Sequence, residues 1–159
     1  MSALDRSVLA ERAMAVERHL RRVRDRLPEA PADLRPTSDA SDTVILHLWQ
    51  ATQVVIDVAM AACLMLKLGT PASYADAFRL LQKADVVPTE LADRLVRAAG
   101  FRNVVVYAYD ALDMARVHDD IAEPGGSDKT VCQLRRNDIG FLQQPERVGV
   151  AGRCPELQH

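Results

Sequence analysis

From Asp42 to Leu68 the chain repeats apolar residues at helical steps. Ile45, Leu48, Trp49, Thr52, Val55, Ile56, Ala59, Met60 and Cys63 keep a 3-4 rhythm. A stripe that wide covers more than one side of a helix, so the spacing predicts a helix that is central in a bundle or buried at a subunit contact. Its most apolar part, Val54 to Leu66, is interrupted by Asp57. That part falls short of the roughly 20 residues a bilayer demands, and no membrane span is expected. Gly69 and Pro71 close the segment, with Gly69 near the position after the cap.

Helical segments flank this one. Over residues 3–27, Val16, Leu20, Val23 and Leu27 recur at steps of 4, 3 and 4 and form one apolar stripe. The opposite face carries Arg18, Arg21, Arg22, Arg24 and Arg26, which suits a solvated face and also a phosphate-contacting strip. Pro28, Pro31 and Pro36 end that helix and make an extended connection. Ser73, followed by Asp76, resembles a capping box and opens a short helix ending near Ala84. Thr89 is placed to cap a fourth helix to about Ala99, closed by Gly100, and a fifth runs from Phe101 to about Ile121. The fold class expected is all-α, a bundle of four to five helices over residues 1–123.

The pattern changes over residues 124–159. Five of the seven glycines and three of the eight prolines fall there, and no long helical period survives. An irregular C-terminal tail is expected. Across all 159 residues, 48% are hydrophobic and 26% charged, which suits a soluble domain with a sizeable core. Lys plus Arg number 20 against 22 for Asp plus Glu. That balance excludes a nucleic-acid binder working by bulk charge, but not a local basic site. Cys63, Cys132 and Cys154 lie far apart and offer neither zinc spacing nor an even disulfide set. The first turns carry Asp5, Arg6, Glu11 and Arg12, unlike a signal peptide. A cytoplasmic protein is expected.

One segment is denser in functional groups than a bundle needs: Gly100-Phe-Arg-Asn-Val-Val-Val-Tyr-Ala-Tyr-Asp-Ala-Leu-Asp113. On a continuous helix, Arg102 and Tyr109 fall within about 20° of each other and roughly 10 Å apart along the axis. Asn103 and Tyr107 stack on an adjoining face, and Val105, Ala108 and Leu112 make a core stripe. A guanidinium can hold a phosphate bidentately, an amide can orient it, and a phenol can donate a proton or accept a group. The same spacing also suits two tyrosines packed at a helix interface and an arginine paired with an acid. Spacing alone leaves both readings open.

The segment resembles the signature of the HepT-like branch of the HEPN superfamily, in which Arg-Asn is followed, four residues after the Arg, by His-x-Tyr. Here the residues are Arg102, Asn103, three valines, Tyr107, Ala108 and Tyr109. The lead-in is similar too: Ser73 to Phe78, Leu80-Leu81, Val86-Val87-Pro88, Glu90-Leu91-Ala92 and Leu95, with Val55 to Ala59 on the second helix. The resemblance covers about residues 5–121 and not the tail. It implies a HEPN-type bundle that dimerises through its motif helices. It also implies a shared cleft cleaving RNA with no metal or cofactor, in a toxin neutralised by a nucleotidyltransferase antitoxin. By the same match Arg102 is the phosphate-binding arginine, Asn103 the orienting amide, and Tyr109 the acceptor of AMP from the antitoxin.

The departure is Tyr107, where the family pattern has His. An imidazole titrating near 6.5 supplies both acid and base at neutral pH. A phenol titrating near 10 is only about 0.1% ionised at pH 7. The expectation is therefore weakened RNA cleavage, with an alternative in which the fold serves as an inactive binding module for the nucleotidyltransferase or RNA. Asp57, inside the apolar second helix, is expected either to pair with Arg102 or to be a satisfied buried carboxylate. His118 lies three turns from Tyr107 and is no obvious replacement within one chain. His47 and Trp49 read as core or interface, and His19 as surface.

Overall fold

Ser38 starts the longest helix. Its hydroxyl accepts from the Ser41 backbone N–H at 3.2 Å, and Ser41 Oγ accepts from the Ser38 N–H at 3.1 Å. This reciprocal box satisfies two backbone donors that a helix start leaves open. The computed structural model describes residues 6–122, and the tail expected over 124–159 lies outside them. The helices are α1 (Arg6–Arg26), α2 (Asp39–Met65), α3 (Tyr74–Lys83), α4 (Thr89–Tyr107) and α5 (Met114–Ala122), with short 3-10 turns at Pro31–Asp33 and Tyr109–Ala111. No strand occurs among the described residues, and the fold is all-α as expected.

α2 is the core helix. Val44, Ile45 and Leu48 join Val23 of α1, Leu34, Phe101 of α4, and Met114, Val117 and Ile121 of α5 in one apolar cluster. Ile56, Ala59 and Cys63 join Ala77, Phe78 and Leu81 of α3 and Ala99 of α4 in a second. With its 27 residues α2 is also long and apolar enough to cross a membrane by length and composition alone, which the shorter Val54–Leu66 stretch did not suggest. Its apolar side is engaged by α1, α3 and α4. The arginines along α1, from Arg18 to Arg26, are exposed.

Several boundaries differ from the spacing. Gly100 does not end the fourth helix: α4 runs on to Tyr107. A glycine inside a helix costs about 1 kcal/mol. Burial of Ala98, Ala99, Phe101 and Val104 around it offsets that cost. Ala108, expected in the core, is exposed, and Val105 and Leu112 are only half-buried. Phe101 to Ile121 is consequently not one helix. Asp113 starts α5 separately, its Oδ1 accepting from the N–H groups of Ala115 and Arg116 at 3.1 and 3.2 Å. Thr89 is the first residue of α4 rather than its cap, and the capping position is Pro88. α2 ends at Met65, where Lys67 takes a left-handed conformation and Gly69 follows with φ of 103°.

His19 is not simply a surface residue. Its Nδ1 lies 3.0 Å from Nδ1 of His47, so one ring donates and the other accepts across the α1–α2 contact. Burial, then the neighbouring His47 and Arg18, push the His19 imidazole below its ordinary value of 6.5. A lowered folded-state value means the unfolded chain binds more protons. The contribution of neutral His19 is therefore present above pH 6.5 and is lost as pH falls below it. Urea unfolding is expected to show stability decreasing from pH 7 to pH 5, with a shallower slope in His19→Gln. Phe101→Ala, which empties the centre of the first cluster, is expected to cost about 3–5 kcal/mol in the same titrations.

Candidate functional site at the α2–α4 seam

α2 and α4 run antiparallel, and two polar ties join α2 to α4 and to the 3-10 turn that follows it. At one end Arg102 Nε donates to Gln53 Oε1 at 3.1 Å. At the other, the Tyr109 hydroxyl donates to Asp42 Oδ1 at 2.7 Å. Asp42 and Gln53 are eleven residues apart on α2, about 16 Å along its axis. Between the ties lies a cavity of about 340 Å³ lined by Asp42, Ile45, Leu46, Trp49, Val105 and Tyr109. The Trp49 indole N–H is buried and has no hydrogen-bond partner among the described residues.

Arg102 is half-buried and held from three sides. Besides the Gln53 bond, its Nη1 donates over 3.4 Å to Asn103 Oδ1, a long contact. Its Cζ lies 5.4 Å from the centroid of the Tyr74 ring, within cation–π range. Gln53 in turn donates from Nε2 to Asp57 Oδ1 at 2.9 Å. That bond fixes which way round the amide sits, so Gln53 presents its oxygen to the arginine. The expectation of a direct or buried Asp57 contact needs correction. Asp57 is exposed, and it reaches Arg102 through Gln53. With Nε on Gln53, the flat face on Tyr74 and only a long contact from Nη1 to Asn103, the planar guanidinium still has Nη hydrogens suited to a bidentate oxyanion such as a phosphate.

Tyr107 and Tyr109 differ from one another. Tyr107 ends α4 with 82% of its surface exposed. It is five residues from Arg102, about 140° round the helix, so one chain does not close both groups on a single point. Tyr109 does not share a helix face with Arg102, because α4 stops two residues before it. It returns to the seam through the 3-10 turn and is half-buried there. Burial, then the hydrogen bond and charge of Asp42, push its phenol up to about 12. His118, buried beneath Pro28 and bonded to its carbonyl, belongs to the core.

Gln53, Asp42 and Tyr74 were not singled out from the sequence. The available signal was the stripe Asp42, Leu46, Trp49, Gln53 and Asp57, spaced 4, 3, 4 and 4, on the less apolar side of a buried helix. Among the described residues no group of three or more His, Cys, Asp or Glu is arranged to hold a metal ion.

Two known proteins are similar to this chain, one in sequence and one in fold. The mRNA nuclease HepT of Shewanella oneidensis is 34% identical over 73 residues, which is 46% of this chain and 55% of that protein. The chain thus spans about half the length of the curated relative it matches. A crystal structure described as a toxin-antitoxin with AMP-PNP superimposes with a TM-score of 0.66, covering 79% of this chain and 95% of that one. At 21% identity that likeness concerns the fold alone. The family described as Ribonuclease HepT-like matches residues 16–124, from the apolar stripe of α1 through both ends of the α2–α4 seam, and this chain belongs to the HepT-like ribonuclease family.

Proposed function

We propose that the chain is the toxin of a HEPN/nucleotidyltransferase toxin–antitoxin pair, a metal-independent endoribonuclease acting in the cytoplasm. The observation that carries this reading is the Arg102 guanidinium, oriented by Gln53, Asn103 and Tyr74 at the surface of a HepT-like bundle. In this reading Arg102 binds an RNA phosphate and Asn103 orients it. The exposed side chains Leu46, Val106 and Tyr107 favour a second copy packing on this side, with the RNA cleft shared between the two. Tyr109 accepts AMP from the nucleotidyltransferase antitoxin. The added phosphate blocks the seam by bulk and by negative charge.

A second reading is favoured by Tyr107. A solvent-exposed phenol stands where a general base belongs, and general acid–base catalysis contributes about 10²–10⁴-fold to such reactions. The fold then serves mainly as a binding module for RNA or for the nucleotidyltransferase.

Cleavage of a labelled RNA in excess EDTA separates the two readings. The toxin reading expects slow, EDTA-resistant cleavage that Tyr107→His raises by roughly tenfold or more. Absence of cleavage in both versions, with RNA still bound, establishes the binding module. Arg102→Ala is expected to weaken RNA binding with little change in melting temperature, and Arg102→Lys not to restore it, because a lysine lacks the planar fork. Unfolding of Arg102→Ala would instead make the arginine a structural tie. Sedimentation at micromolar concentration is expected to show a dimer, and a monomer there would remove the shared cleft.

A further inference from the structure

The Tyr109 phenol faces a difficulty as an acceptor. Burial and the neighbouring carboxylate push it up to about 12. At pH 7 only about one phenol in 100,000 is then ionised, far too few for direct attack by phenolate. A hydroxyl so placed needs a base that removes its proton as it attacks. Such a base must stand within hydrogen-bond reach, about 2.6–3.2 Å, of the oxygen it deprotonates.

Asp42 meets that requirement. Its Oδ1 accepts from the Tyr109 hydroxyl at 2.7 Å. Asp42 is exposed on the first turn of α2, so a proton it takes can pass to water. The cavity between the ties is lined by both residues and leaves an open approach beside the phenol. The other groups acting on Tyr109 do not fill the role. The nearby Ser41 lowers the phenol's value, but its hydroxyl donates to the Ser38 carbonyl and is no base, and Asp110 acts on the phenol only through charge.

We propose that Asp42 is the general base for adenylyl transfer to Tyr109, supplied by the acceptor protein itself. This rests on the reading of Tyr109 as AMP acceptor given above. The co-substrate is ATP with Mg²⁺, brought by the nucleotidyltransferase. The phenol oxygen attacks the α-phosphorus, and a new O–P bond forms there. The bond from that phosphorus to the bridging oxygen of the β-phosphate breaks, and pyrophosphate leaves with the electron pair. The phenol proton moves to Asp42 Oδ1 and then to water. Protein kinases use an aspartate in the same way to accept a substrate hydroxyl proton during phosphoryl transfer.

The test is the initial rate of ³²P incorporation from [α-³²P]ATP by the cognate nucleotidyltransferase, measured from pH 6.5 to 9. Wild type, Asp42→Asn, Asp42→Glu and Tyr109→Phe are compared, with label sites mapped by peptide mass and folding checked by thermal melting. Asn keeps an oxygen that accepts the phenol hydrogen bond but cannot take its proton. The expected result is at least roughly tenfold slower labelling of Asp42→Asn at pH 7. The deficit should shrink as pH rises, because the variant depends on rare phenolate, which increases tenfold per pH unit. Asp42→Glu restores a carboxylate and should recover part of the rate, and Tyr109→Phe should take no label. Wild-type rates in Asp42→Asn, or a deficit constant across pH, overturn the base and leave only a structural tie. Absence of label on the wild type, or label on Tyr107, instead overturns Tyr109 as the acceptor, and Asp42's role falls with it.

Discussion

The burial of α2 among the other four helices is the constraint on which the other features depend. Its N-terminal half packs Val44, Ile45 and Leu48 against α1, α5 and Phe101, and its C-terminal half packs Ile56, Ala59 and Cys63 against α3 and Ala99. Thr52, between the two, is buried and returns its hydroxyl to the Leu48 carbonyl at 2.9 Å, so a polar group crosses the core satisfied. α4 touches both clusters through Ala99 and Phe101, two residues apart. The intervening Gly100 is held helical by what its neighbours bury. Arg102 follows Phe101 directly, so the buried ring sets the rotation and height of the arginine on the helix.

That arrangement leaves the less apolar stripe of α2 beside α4, where the candidate site lies. Gln53 ties the arginine and Asp42 ties Tyr109, and each tie, a hydrogen bond with one charged partner, is worth at most about 1.5–3 kcal/mol. Their value lies in geometry. The Gln53–Asp57 bond selects the amide orientation, which in turn selects the side of the guanidinium that remains for an anion. The Asp42 bond draws the chain after α4 back onto the seam, placing Tyr109 near the cavity instead of in solvent. Both ties anchor on the rigid helix at the centre of the bundle. Preorganised donors of this kind act without reorganising when a charged group arrives.

Much of this was legible in residue spacing, and the failures have identifiable causes. α3 was readable because Ser73 and Asp76 sit at cap spacing, and the Ser73 hydroxyl accepts from the Asp76 N–H at 3.1 Å. α2 was readable in its middle but not at its start, because the Ser38–Ser41 box lacks the Glu or Gln that marks the usual form. Gly100 was misread because local propensity favours a stop there, while the burial of Phe101 that overrides it is a tertiary fact. The break after Tyr107 was missed because its signal, Asp113 capping the next helix, lies six residues on and resembles any surface acid. The arginine, its amide neighbour and the tyrosines were found through the resemblance to a family motif. Gln53 and Asp42 carry no such motif, and only the antiparallel pairing of α2 with α4 brings them to the site.

Position 107 shows how separable the two halves of such a site are. Holding phosphate requires a guanidinium with fixed orientation, and every group that fixes Arg102 comes from this chain: Gln53 on α2, Tyr74 on α3, Asn103 on α4. Proton transfer requires a base near the reacting oxygen, and in one chain the candidate position points about 140° away from the arginine. The first half is built into the packing of the bundle and is insensitive to what stands at position 107. The second depends on one exposed side chain at a helix end, with few contacts to constrain its identity. A change from imidazole to phenol there alters the chemistry without disturbing Phe101, Gln53 or the α2–α4 seam. The fold can therefore keep the orientation of Arg102 and the Tyr109 tie to Asp42 whether or not an efficient base is present.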